Sequence, residues 1–464
     1  MTNKKHIHFE VSERKILLRI FDILFVCLSF FLINQLFGFS YFKIDYDNLL
    51  EIAVLFFYLS LFGTIFEMYD LQKSSRIETI TTSIAVTTST TVLFYVLTPY
   101  YTPSLPDNRL QILYFFLTIF ATLLIWRYAY IKLISSPRFY KRVLLVGEMS
   151  NISSIYETLQ SADPNYIIVG YINCESSHDK ASAVKGILEF KPNQLIETIK
   201  KESISEVVIA TYQSETITPK LYEDLLLLLE SGFPIKEYTQ AYEDMMFRVP
   251  VQFVGKDFYK YFPFSRNNQN RLYLASRRFL DILFSVAGLL IAACFLPLIL
   301  IGNLLANKGP LIYSQNRIGK NAKPFKIYKL RSMVIDAETE GAVWATKNDS
   351  RITKFGNFLR KSRLDELPQF YNILNGNMSL IGPRPERPKF VKELSENIPF
   401  YQTRHIVKPG LTGWAQVKSR YGSSYDDSLV KLQYDLYYIK HRSFLLDLNI
   451  IFKTLSTVLF YRGQ

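Results

Sequence analysis

Asp365 and Glu366 stand side by side in SRLDELPQFYNIL, the stretch that begins at Ser362. Arg360, Lys361 and Arg363 lie just before them, and Arg384 and Arg387 just after. An acid pair in so basic a setting suits phosphate chemistry. One carboxylate can act as a nucleophile while the other holds a metal ion. The cations would depress a carboxylate's pKa, keep it ionised, and neutralise incoming phosphate. A competing reading needs no chemistry. Pro368 and the apolar face of Phe370, Ile373 and Leu374 mark the start of a helix, where Asp365 would be an N-cap and Glu366 a favourable first-turn acid. A helix start here would also offer its N–H dipoles to phosphate. Downstream, Arg384 sits between two prolines in NGNMSLIGPRPERP. Proline fixes φ, so that guanidinium rides on a stiff loop suited to a bidentate grip on phosphate. VKPGLTGWAQVKSRYG is a second rigid loop, with Pro409, Gly410, Gly413 and Trp414, and it ends at Arg420. KPFKIYKLRSM reads as a strand bearing cations, including Lys329 and Arg331. Any one arginine in a proline-rich loop is ordinarily a solvated surface charge. Their recurrence around one acid pair is the signal.

The elements that position these residues begin with a long apolar run at 277–309. It is long enough to cross a bilayer, yet Arg277 and Arg278 precede it and Lys308, Arg317, Lys320, Lys323 and Lys326 follow it. Positive charge at both ends places both ends on the cytoplasmic face. Pro297 would break the helix, which predicts a re-entrant helix–break–helix over 277–306 that dips in and returns. The alternative is a bent helix that spans. Asp281 near its start echoes Asp22 in LRIFDILF, and either acid needs a partner if it lies in a membrane.

Further upstream, apolar stretches of about twenty residues recur at roughly 16–37, 49–68, 80–98 and 111–133. The third is threonine-rich and is the weakest span. The first is too long for the apolar region of a cleavable signal and lacks a small-residue cleavage site. Basic residues gather in the N-terminal tail (Lys4, Lys5, Arg14, Lys15), at Lys73 and Arg76, and at Lys132, Arg138, Lys141 and Arg142. Both ends of this four-helix unit are therefore expected on the cytoplasmic side. Strand candidates at 142–147, 166–172, 206–211 and 234–238 alternate with helical patterns, which predicts a Rossmann-like parallel sheet over about 141–240. Only Gly147 stands where a G-x-G-x-x-G fingerprint would be, and Glu148 blocks the close approach of a pyrophosphate. A folded spacer or regulatory module is the plain reading.

Composition agrees with a chain that is part membrane and part soluble. Of 464 residues, 49% are hydrophobic and 20% charged, too apolar for an ordinary soluble enzyme and too charged for an all-membrane protein. A net charge of +13 favours anionic partners. The cations cluster beside membrane segments and not on a free-standing module, which argues against nucleic acid. Cys27, Cys174 and Cys294 are widely separated and give neither a disulfide framework nor zinc spacing, so the soluble part is expected in the cytosol.

The run FKIYKLRSM, LRKSRLDELPQFYNIL, MSLIGPRPE and VKPGLTGWAQV, in that order over about 275–464, resembles the catalytic domain of bacterial phosphoglycosyl transferases. With four spans and a degenerate Rossmann-like module ahead, the whole chain resembles the large monotopic form. The resemblance implies a multidomain membrane protein: a four-span bundle (1–136), a Rossmann-like cytosolic domain (137–265) and an α/β catalytic domain (266–464) with the re-entrant helix. It implies transfer of a sugar 1-phosphate from a UDP-sugar, UDP-glucose or UDP-galactose, to undecaprenyl phosphate in the bacterial inner membrane. The product would start an exopolysaccharide, capsule or O-antigen repeat unit. In this family Asp365 would be the nucleophile, Glu366 would hold Mg²⁺, and Arg360, Arg384 and Arg420 would hold phosphate or uridine diphosphate. Lys329 and Arg331 would line the site. Arg363 departs from the serine common at that position. LVKLQYDLYYIKHRSFLLDLNIIFKTLSTVLF at 429–460 is expected to form interfacial helices or a buried packing helix. Two rival readings compete with this one. A membrane-bound nucleotide-sugar dehydratase would need the glycine fingerprint and a Tyr-x-x-x-Lys pair, which does not follow the first strand. A non-enzymatic scaffold would not need Asp365. Whether the chain forms a homo-oligomer is not written in its sequence.

Overall fold

The apolar stretches fold as helices in a computed structural model that describes residues 11–37, 39, 41–69, 77–134, 140–163, 165–174, 187–211, 217–253, 268–335, 337, 349–419 and 424–459. The chain divides into two compact units, Met1–Ala241 and Tyr242–Gln464.

The first unit opens with α1 (Val11–Phe37), α2 (Leu49–Ile65), α3 (Ile77–Val96) and α4 (Leu110–Ile134). Phe30, Phe42, Leu55, Tyr95, Phe115 and Leu123 form their shared core. Leu24, Phe57, Leu93 and Ile125 remain exposed on the outside. A bundle apolar inside and out is suited to lipid. By length and composition α1, α2 and α4 are able to cross a membrane, and α3 falls short, as its threonines suggest. Asp22 of α1 has its partner: Arg127 of α4 donates to it at 2.6 Å, with both side chains buried. The cationic loops at Lys4, Lys5, Lys73, Arg76 and Arg138 lie outside the described residues.

The expected parallel sheet follows. Strands β1 (Lys141–Gly147), β2 (Tyr166–Asn173), β3 (Leu188–Phe190), β4 (Glu206–Ala210) and β5 (Ile235–Glu237) pair in the order β3-β2-β1-β4-β5, all parallel. Helices α5 (Met149–Ala162), α6 (Leu195–Lys201) and α7 (Pro219–Glu230) alternate with them, and α8 (Tyr238–Met246) comes last. β3 has three residues, two of them exposed, too short to register as an apolar period.

The second unit begins earlier than the expected boundary at 265. Val249 and Val251 join the core of Ile381, Phe390, Trp414, Leu432 and Leu436, and Trp414 Nε1 donates to the carbonyl of Phe247 at 3.0 Å. Burial of this apolar pair decides the boundary. The unit contains α9 (Arg271–Ala306), the antiparallel pair β6 (Ile312–Ile318) and β7 (Pro324–Leu330), α10 (Lys354–Lys361), α11 (Gln369–Leu374), β8 (Ser379–Ile381), α12 (Pro388–Asn397), β9 (Gly410–Thr412), α13 (Trp414–Lys418), α14 (Tyr425–His441) and α15 (Phe444–Leu459). β8 and β9 pair in parallel. α14 is a packing helix, with Leu432, Leu436, Tyr438 and Ile439 buried, whereas Phe444 and Leu445 at the start of α15 are exposed.

The helix break expected at Pro297 does not occur: α9 continues through it without interruption. A single proline removes one hydrogen bond, and the rest of the ladder carries the helix past it. What sets α9 apart is its attachment at both ends. Near its start, Arg277 donates to Ser379 Oγ and the carbonyl of Ile381, at 2.9 and 2.6 Å. Arg278 donates to the carbonyls of Ile373 and Leu374, and Asp281 accepts from Ser379 Oγ and the amide of Leu380. Past its end, Asn307 exchanges hydrogen bonds with Arg331, and Ile299 packs with Leu330 and Leu359. Leu290, Ile291, Leu298, Ile301, Leu304 and Leu305 on the same helix stay exposed.

Gly356 in the first turn of α10 lies against the main chain of Ser332, where a Cβ would come within 1.9 Å of the carbonyl oxygen. The backbone cannot move aside cheaply. Gly356→Ala is expected to destabilise the protein by about 1–3 kcal/mol, measured as a lower unfolding midpoint in detergent. An unchanged midpoint would contradict this packing.

Candidate active site

Three cations converge on one oxygen of Glu366. Lys329 Nζ lies 3.2 Å from Oε1, Arg384 Nη2 donates to it at 3.0 Å, and Arg363 Nη1 stands at 3.9 Å. Each arrives from a different element. Lys329 is on β7, fixed by its pairing with β6 and by Asn372 of α11. The Asn372 side chain donates to the carbonyl of Lys326 at 2.7 Å and accepts from the amide of Tyr328 at 3.1 Å. Arg384 follows β8. Arg363 reverses the chain after α10 with φ of 59°, a left-handed backbone that costs a non-glycine residue of order 1 kcal/mol.

That reversal starts a short 3-10 turn, Leu364–Glu366, which carries both acids. The N-cap reading of Asp365 is thereby corrected: α11 begins at Gln369 behind Pro368, because proline already supplies the helical φ there. A six-residue α11 also gives no reason to place phosphate at its start. Asp365 is buried, and its Oδ1 accepts no hydrogen bond. The two acids are pushed apart in pKa. Burial and then the Glu366 charge push Asp365 up, against Lys329, Arg360 and Arg363. Burial also disfavours ionised Glu366, but Lys329, Arg384 and Arg363 overcome it and hold that carboxyl well below the usual range. The local cations therefore act more strongly on Glu366 than on Asp365, because they bond to the former. Burial pulls Lys329 down while Glu366 opposes it.

Arg360, at the end of α10, donates from Nε to Ser332 Oγ at 2.9 Å, which aligns it beside the acid pair. Ser332 and Asn372 carry no local sequence signal, since their roles come from partners 28 and 46 residues away. Arg331 does not come to the site. Its guanidinium donates to the carbonyls of Pro310, Met333 and Asn307 and closes the turn after α9. Arg331 lies one residue past the end of β7, where the carbonyls of the turn after α9 claim its guanidinium. Pro297 lies on the exposed stretch of α9, and Arg420 lies outside the described residues. The two rigid loops, in contrast, do meet: Gly410 packs so closely on Gly382 that a Cβ would come within 2.1 Å of the Gly382 nitrogen.

Comparisons with known proteins place this arrangement. The family described as bacterial sugar transferase matches residues 272–461. The exopolysaccharide production protein PSS of Rhizobium leguminosarum bv. phaseoli is 38% identical over 192 residues, which cover 40% of this chain and 96% of that protein. The chain belongs to the bacterial sugar transferase family. A UDP-N-acetylgalactosamine-undecaprenyl-phosphate N-acetylgalactosaminephosphotransferase of Aeromonas hydrophila is 47% identical over 191 residues, covering 40% of this chain and 44% of the relative. A UDP-glucose:undecaprenyl-phosphate glucose-1-phosphate transferase of Escherichia coli (strain K12) is 42% identical over 178 residues, covering 38% of each. The matched part thus spans less than half the length of these two relatives. Ahead of it, residues 64–216 of this bacterial sugar transferase match a family described as CoA-binding domain.

Among the described residues no group of three His, Cys, Asp or Glu side chains gathers to hold a metal alone. The sugar transferase's acid pair nevertheless fits Mg²⁺, which takes one or two carboxylates and completes its shell with substrate phosphate and water. Glu366 would be its protein ligand, and Asp365 beside it keeps an Oδ1 that accepts no hydrogen bond.

The pKa directions give opposite stability signatures. Glu366 is depressed, so its contribution is present above the ordinary glutamate range and fades as pH falls toward the folded value. Asp365 is raised, so its ionised form costs stability above the folded value, and that cost disappears below the ordinary aspartate range. Glu366→Gln is expected to lower the unfolding midpoint by roughly 4 °C near neutral pH, with the gap narrowing in acid. Asp365→Asn is expected to leave the midpoint unchanged or raise it. Thermal unfolding of both variants across pH checks the two signs; equal losses for the two would refute them.

Proposed function

We propose that the chain transfers a sugar 1-phosphate from a UDP-sugar to undecaprenyl phosphate, releasing UMP and forming undecaprenyl diphospho-sugar, the first lipid-linked intermediate of an exopolysaccharide, capsule or O-antigen repeat unit. The observation that carries this is the contrast within the acid pair: an unpartnered, buried Asp365 oxygen beside a Glu366 clamped by Lys329, Arg384 and Arg363. The relatives' names support the donor and acceptor classes.

In the first step Asp365 attacks the β-phosphorus of the donor. The bond from that phosphorus to the oxygen bridging the two phosphates breaks, and UMP leaves with the electron pair. A sugar-phosphoryl aspartate remains. In the second step an oxygen of undecaprenyl phosphate attacks the same phosphorus and the Asp365 carboxylate departs. Two displacements through a covalent intermediate replace one difficult transfer between mutually repelling anions. A raised pKa and the absence of a hydrogen-bond donor leave the Asp365 oxygen basic and unblunted. Lys329, Arg363 and Arg384 now neutralise Glu366, and the same cations can neutralise charge developing on the leaving phosphate. Mg²⁺, held by Glu366 with Asp365 adjacent, would supply further charge neutralisation to the diphosphate.

A seat at the bacterial inner membrane is the reading that α9 supports. Its two ends are tied to one α/β unit, while its middle exposes leucine and isoleucine. A helix crossing a hydrocarbon core of about 30 Å would separate its ends to opposite sides. We place α9 along one leaflet, monotopic and unbroken, with the acid pair on the cytoplasmic side. UDP-sugar then arrives from the cytosol and the lipid phosphate from headgroup depth.

Membranes containing the protein, incubated with undecaprenyl phosphate and radiolabelled UDP-glucose, UDP-galactose or UDP-N-acetylgalactosamine, are expected to release UMP. EDTA is expected to stop the reaction. Asp365→Asn is expected to abolish it, and intact-mass analysis of the wild type without acceptor should trap one sugar phosphate. Release of UDP, or full activity in Asp365→Asn, would sink the assignment.

A further inference from the structure

Pro383 and Pro385 have no N–H groups, so the loop carrying Arg384 must be held largely through its carbonyls. All three are taken. The carbonyl of Pro383 accepts from the amide of Gly410 at 2.9 Å. That of Arg384 accepts from Arg404 Nη2 at 3.0 Å, and that of Pro385 from Arg317 Nη1 at 3.1 Å. Two guanidiniums thus grip consecutive peptide groups on either side of the Arg384–Pro385 bond.

Each carries its own counter-charge. Arg404 is buried, donates to Asp435 Oδ2 at 2.7 Å and to the Tyr401 hydroxyl at 2.6 Å, and so enters the loop already balanced. Arg317 lies 3.6 Å from Glu386 Oε2, and the amide of the next residue, Ile318, donates to the carbonyl of Glu386 at 2.9 Å. Neither guanidinium is among those meeting Glu366. Their planar forks suit this task in a way an ammonium does not, since one head must satisfy a carboxylate and a carbonyl together.

We infer that Arg404, anchored by Asp435, and Arg317, paired with Glu386, are positioning residues that fix the Arg384 main chain so that its guanidinium meets the donor's diphosphate. This rests on the UDP-sugar reading above. Neither residue touches substrate; each acts through Arg384. A displacement of about 1 Å in such a group can cost up to a hundredfold.

The test is UDP binding by the full chain in detergent, followed by calorimetry. Arg404→Lys and Arg317→Lys keep the charges but lose the fork, and each is expected to weaken UDP binding on the order of tenfold. On an Arg384→Ala background, Arg404→Lys is expected to add nothing further, because its effect runs through the missing side chain. Arg404→Met combined with Asp435→Leu removes both charges together, so no charge is left buried alone; it is expected to fold, by its unfolding transition, and to bind UDP as weakly as Arg404→Lys. Wild-type affinity in the lysine variants, or an equal further loss on the Arg384→Ala background, overturns the inference while leaving the donor assignment intact. A wild-type chain that binds no UDP overturns the donor assignment itself, and this inference with it.

Discussion

Two adjacent carboxylates share one set of cations unequally, and the rest of the second unit is arranged around that inequality. Lys329, Arg363 and Arg384 come to Glu366, which leaves Asp365 buried with one oxygen unaddressed. The asymmetry comes from the 3-10 turn, which gives successive residues different directions, and from the left-handed Arg363 that starts it. Residues that look equivalent in sequence thereby acquire opposite pKa shifts. Neighbouring acids pushed apart in this way are a mark of candidate functional sites.

The cations need stiff supports to hold this arrangement, and each has one. β7 is paired along its length with β6. Asn372 locks it to α11 through main-chain bonds at Lys326 and Tyr328. Arg384 stands on a loop whose carbonyls are occupied in succession. α9 reaches the same residues: Arg277 and Asp281 bond to β8, which leads directly into that loop, and Arg278 bonds to the end of α11. The long apolar helix and the geometry of the acid pair are therefore mechanically connected.

α9 also shows why a proline alone is a weak predictor of a break. Pro297 lies in a stretch with neighbours that continue the helical ladder, and α9 passes through it. The quantity that decides how α9 sits is the set of polar contacts at its ends, from Arg277 to Asn307. Flanking positive charge hinted at the outcome, but the tether itself is made by residues far along the chain.

Much was legible in order of residues. Apolar length specified the helices of the bundle, and β-branched runs alternating with amphipathic stretches specified four of the five parallel strands, because both follow from local periodicity. The acid pair with its nearby arginines marked the site, since Asp365, Glu366, Arg360 and Arg384 owe their meaning to residue type and spacing. Folding alone decided which acid the cations favour, that Arg331 serves the turn after α9 and not the site, that 242–253 belongs with the second unit, and that Arg317 and Arg404 hold the Arg384 loop. All of these depend on contacts between residues distant in sequence, such as Arg404 with Asp435 or Arg317 with Pro385. Local pattern encodes the elements and the chemistry they carry, whereas the pairing of charges buried between elements exists only once the chain has closed on itself.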